Sequence, residues 1–175
     1  MAASRESGGA ESDGVIAWRF ARFGELSPRE IHDLYRARAA VFVVEQNCAF
    51  QDIDGADPES WHLLGYVGEE LLAYARLVPP GVKYAEPSIG RVATTGAARR
   101  TGRGRELMRQ ALARAEELWP DRAIRIGAQQ RLERFYGEFG FVAASAPYDE
   151  DGIMHVEMVR PVARVAGRSG ETVGS

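Results

Sequence analysis

The turn at residues 99–105 holds the glycines and arginines best suited to chemistry in this chain. It follows an apolar run and opens onto a predicted helix. Gly102 and Gly104 have no side chain to keep an anion away, and glycine adopts the positive φ values that a nest of amides requires. N–H groups at a helix N-terminus lack intrahelical partners and carry partial positive charge. The sequence therefore predicts a turn that binds a phosphate-bearing anion.

Four arginines add fixed charge to this turn, and each charge-assisted hydrogen bond from them would be worth roughly 1.5–3 kcal/mol. They are Arg99, Arg100, Arg103 and Arg105. The pattern Arg-x-x-Gly-x-Gly is neither a Walker A loop nor a complete dinucleotide fingerprint, since Leu107 stands where the third glycine belongs. An arginine-rich surface loop whose glycines serve only turn geometry is the alternative.

Composition favours one domain in a reducing compartment. The 175 residues are 45% hydrophobic, enough for a core, and residues 15–162 form the predicted domain between flexible tails at 1–14 and 163–175. The net charge of −3 leaves −7 outside the four arginines, which argues against binding to long nucleic acids. The chain has a single cysteine, and it shows neither a signal peptide nor an apolar run near ~20 residues. These features predict a cytoplasmic protein with no membrane contact.

Hydrophobic periodicity predicts alternating strands and helices. Ser27-Pro28-Arg29-Glu30 is a capping box that opens a helix reaching residue 43. A hairpin is predicted from residues 62–67 and 71–78. The other predicted strands are 15–23, 88–95, 123–128, 141–146 and 154–160, and the other predicted helices are 104–119 and 130–139, the last closed by Gly140.

Five segments resemble the ElaA-type branch of the GNAT superfamily of N-acetyltransferases, and the Arg-x-x-Gly-x-Gly turn resembles the loop with which that superfamily binds the pyrophosphate of acetyl-CoA. The resemblance spans about residues 15 to 160, and its most specific block is Val-Phe-Val-Val-Glu-Gln within 40–55. It implies an α/β fold with a central mixed sheet of six to seven strands flanked by helices. The segments are 40–55, 61–66, 89–92, 135–141 and 148–155.

The resemblance also implies a cofactor site. The pantetheine arm would lie along the fourth strand, from which the neighbouring strand diverges, and a backbone amide near Val92 would stabilise the thioester oxygen. Many relatives carry an asparagine where Gln129 stands, and we carry the cofactor contact over to this longer amide. The implied contacts to acetyl-CoA are Val92, Thr94, Arg99, Arg100, Thr101, Gly102, Arg103, Gly104 and Gln129.

One catalytic role follows from the same resemblance, and a proton acceptor is predicted from the residues themselves. Tyr136 matches the tyrosine that protonates the departing thiolate, a step worth 10²–10⁴-fold; the alternative is a buried tyrosine that packs the helix. Glu45, directly or through water, is the predicted acceptor of the amine proton. Asp52 and Asp54 are alternatives, and their charge would also attract a cationic acceptor. For each carboxylate, a turn-capping or solvated role is the competing interpretation.

Other conspicuous residues predict structure rather than chemistry. Asp52-x-Asp54-Gly55-x-Asp57 resembles a calcium loop, but its glycine comes too early and the closing glutamate is missing, so we expect a turn and no metal. His62 and His155 are expected to be hydrogen-bonded structural residues. Cys48 has no readable catalytic partners.

The sequence as a whole predicts an enzyme that moves acetyl from acetyl-CoA to a primary amine of a small molecule or peptide, by direct attack in a ternary complex. A non-catalytic acyl-CoA sensor is the alternative from another class, and a nucleic-acid-binding turn ranks below both. The sequence leaves open whether the protein forms a homodimer.

Overall fold

An eight-stranded mixed sheet organises the computed structural model, which describes residues 14–162. The strand order is β1-β2-β3-β4-β5-β8-β6, and β7 pairs with β8. Neighbouring strands are antiparallel except β4 and β5, which are parallel. The strands are β1 Ala17–Arg22, β2 Trp61–Val67, β3 Glu70–Val78, β4 Ser88–Thr94, β5 Ile124–Gln129, β6 Val142–Ala143, β7 Tyr148–Glu150 and β8 Ile153–Arg160.

This architecture confirms the predicted α/β fold class. The predicted hairpin at 62–67 and 71–78 is present as β2 and β3. The predicted tails lie outside the described residues, apart from Gly14.

The first helix, α1 Pro28–Arg38, begins at the predicted capping box. Ser27 Oγ accepts a hydrogen bond from the Glu30 amide at 3.2 Å, and Glu30 Oε2 accepts one from the Ser27 amide at 2.7 Å. The chain then continues as a seven-residue π-helical segment, Ala39–Glu45. The predicted helix is therefore correct in extent, but its last turns are wider than α-helical turns, a distortion frequent at functional sites.

The second helix, α2 Arg103–Leu118, packs one apolar stripe against the sheet. Leu107, Met108, Ala111 and Ala115 are buried there in the larger of two cores, which also contains Tyr136. A smaller core on the α1 side contains Leu34 and Tyr74. The two helices therefore lie on opposite faces of the sheet, since Ala73 and Ala75 of β3 pack with α2 and Tyr74 between them packs with α1.

The third predicted helix, 130–139, divides in two. A 3₁₀ turn, Gln130–Leu132, precedes the short α3 Glu133–Gly137, and Gly140 closes the segment at a φ of 85°. The strand predicted at 141–146 was too long, since β6 is only two residues. The strand β7 was missed, because three polar and aromatic residues before a Glu-Asp-Gly turn carry no alternating pattern.

The sheet opens between β4 and β5. Their pairing is limited to Ser88 opposite Arg125, near the beginning of both strands. Beyond that point the two strands have no paired residues, although both continue for several residues to Thr94 and Gln129. The predicted divergence of the neighbouring strand is therefore present.

Candidate active site

A cavity of about 920 Å³ occupies the opening between β4 and β5. The residues of β4 from Ile89 to Thr94 form one wall, and Ile126, Gly127 and Gln129 of β5 contribute to the other. The lining also includes residues of the π-helical segment, the loop after it, the β7–β8 turn and the segment that contains Tyr136. The cavity therefore draws on parts of the chain more than a hundred residues apart.

A β-bulge in β4 faces this cavity. Tyr74 pairs with Ala93 and Arg76 pairs with Gly90, so Ala75 alone stands opposite Arg91 and Val92. Arg91 adopts a φ of 51°, which is uncommon for a residue with a side chain. A bulge interrupts the hydrogen-bond ladder and re-aims the groups of the bulged strand. The backbone at Val92, the predicted position of the thioester, is therefore locally displaced from regular pairing.

The glycine- and arginine-rich turn lies at the end of β4 and caps α2. Gly102 is the N-cap residue with a φ of 82°, and its carbonyl accepts from the amides of Arg105 and Glu106. Arg100 also has a positive φ, of 63°, and Thr101 Oγ1 donates to the Ala98 carbonyl at 2.7 Å. These contacts hold the turn so that the start of α2 faces outward.

A second cavity of about 220 Å³ lies on this turn. A Cβ atom built on Gly102 would meet nothing within 4 Å, and one built on Gly104 would meet only the Phe135 ring, at 3.9 Å. The space over both glycines is therefore open. The cavity is lined by Thr94, Ala98, Arg99, Arg100, Gly102, Gly104, Arg105 and Phe135.

The arginines of the turn have different partners. Arg99 forms an ion pair with Glu45 across the mouth of the large cavity. Arg105 makes a two-point contact with Glu138, at 2.8 and 3.0 Å. Arg103 is buried and donates to the Gly14 carbonyl at 3.3 Å, and its side chain lines neither cavity. A contribution of Arg103 to anion binding would therefore come from its backbone.

Tyr136 lines the large cavity from α3 and is 7% exposed. Its hydroxyl makes no hydrogen bond to any residue within 14–162. Burial raises the pKa of this phenol to about 12, and Arg131 opposes the rise. The hydroxyl is therefore protonated at neutral pH and available as a proton donor.

Gln129 stands at the end of β5, where it lines the same cavity. Its amide nitrogen donates to Gln46 at 2.9 Å, and its amide oxygen accepts from Arg131 Nε at 3.0 Å. The side chain thus links the β5 end of the opening to the loop after the π-helical segment. A primary amide has two N–H donors and two oxygen lone pairs, so the side chain could contact a cofactor and keep both bonds. The predicted role stays a prediction.

Asp52 and Asp54 belong to a cluster of ion pairs beneath the cavity. Asp52 accepts from Arg38 at 2.9 Å and from Arg91 at 2.7 Å, and its side chain does not line the described cavities. Asp54 does line the large cavity, but it accepts from Arg76 at 2.6 and 3.0 Å. Their charges are compensated, which favours the structural interpretation of both residues.

The pKa directions agree with this pairing. Burial alone would raise the pKa of Asp54, but hydrogen bonds from Arg76 outweigh it and hold the pKa well below its ordinary value. Asp54 Oδ1 also accepts from the Ala56 amide at 3.1 Å. The Asp-x-Asp-Gly-x-Asp segment is therefore a turn held by arginines, as predicted.

His62 has the predicted structural role. Its Nε2 lies 3.0 Å from the Asp57 carbonyl, which can only accept, so Nε2 carries the proton and Nδ1 accepts from the Tyr74 hydroxyl at 2.7 Å. Burial lowers the pKa of this imidazole. His62 is fully buried and has no access to the cavity.

The structure also brings to the cavity residues that the sequence did not single out for chemistry. Lys83, Arg131 and Glu150 line it, together with His155, which had been expected to be structural. Cys48 lines it as well and donates to the Asp151 carbonyl at 3.5 Å. His155 had been placed on a predicted strand at 154–160, and the pairing of β8 with β5 that brings it to the cavity was the missing information.

A mixed sheet that parts at its one parallel pair, around a cavity whose mouth meets a glycine-capped helix, is the architecture of the acyl-CoA N-acyltransferases. A solved structure described as an acyl-CoA N-acyltransferase from Pseudomonas aeruginosa has a TM-score of 0.80 to this chain. It is 40% identical, over 83% of this chain and 99% of its own.

The chain belongs to the GNAT acetyltransferase family, whose domain model, an acetyltransferase (GNAT) domain, matches residues 30–161. The chain is 41% identical to the protein ElaA of Escherichia coli K12, over 85% of this chain and 98% of that protein. It is 42% identical to the UPF0039 protein sll0451 of Synechocystis, over 82% and 94% respectively. The crystal structure of Escherichia coli ElaA has a TM-score of 0.79, at 40% identity over 83% of this chain and 99% of that one.

These findings confirm the resemblance and identify an acyltransferase fold that uses an acyl-CoA cosubstrate. Within residues 14–162, no set of three or more histidine, cysteine or acidic side chains is grouped as a metal site would require. No helix in the described part of the chain has the length and apolarity to cross a membrane.

Proposed function

We propose that this protein transfers acetyl from acetyl-CoA to a primary amine by direct attack within a ternary complex. The observation that carries the proposal is the opening between β4 and β5, because it leads from the capped turn of α2 to the bulge at Val92 and to Tyr136. The diphosphate of CoA would bind at Gly102 and Gly104, and the pantetheine arm would run along β4 past Thr94.

The energetics favour positioning over a strong base. An amine of pKa ~10.4 lies about 3.4 units above pH 7, so forming the neutral nucleophile requires roughly 4.6 kcal/mol. Holding the amine and the thioester in line can recover roughly 7–11 kcal/mol. A protein that binds both reactants in one cavity therefore needs only a modest proton acceptor.

Two groups would act on the thioester itself. A backbone amide at the bulge near Val92 would donate to the carbonyl oxygen as negative charge develops there. Tyr136 would supply a proton to the sulfur of the departing thiolate, consistent with a cavity-lining phenol that is protonated at neutral pH.

The carboxylate of Glu45, the sequence-based candidate for the base, lies at the mouth of the cavity in an ion pair with Arg99. Diphosphate binding at the turn would compete for Arg99 and release Glu45. Asp52 and Asp54 are weaker candidates for proton transfer or acceptor binding, because arginines already occupy them.

The test is thiol release from acetyl-CoA with a broad panel of primary amines, compared with propionyl- and butyryl-CoA. We expect amine-dependent release, fastest with acetyl-CoA. Tyr136→Phe should bind CoA with unchanged affinity by calorimetry and lose about 10²–10⁴-fold in turnover. Tight CoA binding with no turnover for any amine would instead indicate a sensor, and no CoA binding would refute the proposal.

A further inference from the structure

His155 is a titratable side chain that lines the large cavity and has no part in the scheme above. It lies on β8 directly opposite Gln129 of β5. Directly opposed residues of an antiparallel pair point to the same face of the sheet. Ile126 and Ala128 of β5 pack in the core with Tyr136, so Gln129 and His155 point to the other face.

The imidazole has a defined orientation. Nδ1 lies 2.8 Å from the Ile153 carbonyl oxygen, which can only accept. The neutral ring therefore carries its proton on Nδ1 and its lone pair on Nε2. The Tyr148 ring stacks against it with centroids 6.1 Å apart, and the side chain is 14% exposed. Such a ring is held by the fold and can still receive a proton from the cavity.

One carboxylate lies close to the ring. Glu150 Oε2 lies 3.6 Å from Nδ1, so a carboxylate faces the positive charge that forms when Nε2 takes a proton. On β8 itself Glu157 is paired with Arg125 at 2.7 Å, and on the β5 side Arg131 is engaged with Gln129. Further titratable groups near this end are Tyr148, Tyr84, Lys83, Asp151 and Cys48.

We propose that His155 Nε2 accepts the proton of the attacking amine and that Glu150 is a positioning residue for the resulting imidazolium. The proposal rests on the proposed function. As the nitrogen–carbon bond forms, one amine proton passes to Nε2 and the carbon–sulfur bond breaks. The thiolate takes the phenol proton of Tyr136, His155 then releases its proton to solvent, and Tyr136 regains one.

This assignment distinguishes the two sides of the cavity. Tyr136 packs with the α2 core, whereas His155 lies on the opposite face of the sheet, so the donor to the sulfur and the acceptor from the amine lie on different sides of the thioester. Glu45 pairs with Arg99 at the cavity mouth, and in this scheme it takes no proton even when CoA displaces it from that pair.

The decisive variants are His155→Gln and Glu45→Gln, with His32→Gln as the matched control, because His32 is 71% exposed on α1. We expect His155→Gln to lower kcat/KM for the amine by about 10²–10⁴-fold with unchanged affinity for acetyl-CoA. Histidine changes charge between pH 5 and 8, so the acid limb of the pH–rate profile should vanish in His155→Gln alone. Glu150→Gln should lower the rate less and keep that limb.

A wild-type protein that releases no CoA with any amine would refute the proposed function itself. With an active wild type, the assignment of His155 is overturned if His155→Gln keeps its rate and acid limb, or if Glu45→Gln removes the limb. Nitrogen NMR of the labelled imidazole gives a readout independent of turnover and of variant folding. The expected signal is the Nδ1–H tautomer, perturbed when an amine is added to the CoA complex; an Nε2–H tautomer would overturn the proposal.

Discussion

Arginines occur in two opposite surroundings in this protein: in the turn at residues 99–105, and in the buried cluster with Asp52, Asp54 and Asp57. Arg38 is 0% exposed and donates to Asp52 at 2.9 Å and to Asp57 at 2.7 Å. Arg76 is equally buried and donates to Asp54 and Asp57. Arg99, by contrast, is 45% exposed and contacts a single partner carboxylate, Glu45.

The difference shows that burial and partners decide what an arginine does. A charge removed from water must be paired and hydrogen-bonded, so the donors of Arg38 and the two terminal nitrogens of Arg76 are committed to aspartates. An exposed ion pair contributes only about 0–1 kcal/mol, so a phosphate can replace Glu45 on Arg99. Arg91 lies between these cases, because it binds Asp52 at 2.7 Å and also lines the cavity.

Removing a buried arginine should have the largest effect. Arg38→Met leaves two buried aspartates without this partner, and we expect the free energy of unfolding to fall by about 3–5 kcal/mol, measured by urea denaturation. Arg100→Met is the matched control, since Arg100 is exposed, and it should change stability by less than about 0.5 kcal/mol. Arg38→Lys, which keeps the charge but loses the two-point contact, should lie between them. Equal stability of Arg38→Met and Arg100→Met would contradict the comparison.

A substitution in the turn should change the affinity for CoA and leave the stability unchanged. Arg99→Ala removes charge-assisted hydrogen bonds to the diphosphate worth roughly 1.5–3 kcal/mol, so the Kd for CoA should rise roughly 10- to 150-fold. Calorimetry gives the Kd, and the unfolding midpoint should stay unchanged. Arg114→Ala is the control, because Arg114 is a half-exposed arginine farther along α2. Unchanged CoA affinity in Arg99→Ala would remove this residue from the cofactor site.

Acid should weaken the buried cluster in two stages. Burial lowers the pKa of His62 below 6.5, and hydrogen bonds from Arg38 and Arg76 outweigh burial and lower the pKa of Asp57 below 3.8. In both cases the unfolded chain binds protons that the folded chain does not. The free energy of unfolding should therefore fall as pH drops below about 6.5 and again below about 3.8, by up to ~1.4 kcal/mol per pH unit for each group. Urea titrations between pH 7.5 and 3 test this, and a flat profile would contradict it.

Added salt should have the smallest effect, and it should act on CoA affinity at the turn more than on the stability of the buried cluster. Exposed charges are screened over a Debye length of ≈ 8–10 Å at 0.10–0.15 M salt, whereas buried pairs are screened much less. CoA affinity should therefore weaken by a few-fold between 0.05 and 0.5 M NaCl, while the unfolding free energy changes by less than about 0.5 kcal/mol. The comparison fails if stability falls with salt and CoA affinity does not.

Much of the local structure could be predicted because its causes lie within a few residues. The capping box at Ser27 and Glu30 starts α1 through two local hydrogen bonds. Gly102 caps α2 because a positive φ favours glycine, and a short loop between two apolar runs predicts the β2–β3 hairpin. The strand β7 and the π-helical turns escaped prediction, because pairing with β8 and packing decide them rather than local pattern.

The sequence by itself determined the fold class and the glycine-capped turn before α2, since both are encoded in contiguous residues. It also predicted anion binding at that turn and proton donation by Tyr136. Only the tertiary structure decided which carboxylates are free. Asp52 and Asp54 meet their arginines from 14 to 39 positions away. Likewise, His155 reaches the cavity only because β8 pairs with β5. The physical reason is that the charge and availability of a polar group depend on desolvation and on partners brought together by folding, and neither is written in the residue's own neighbourhood.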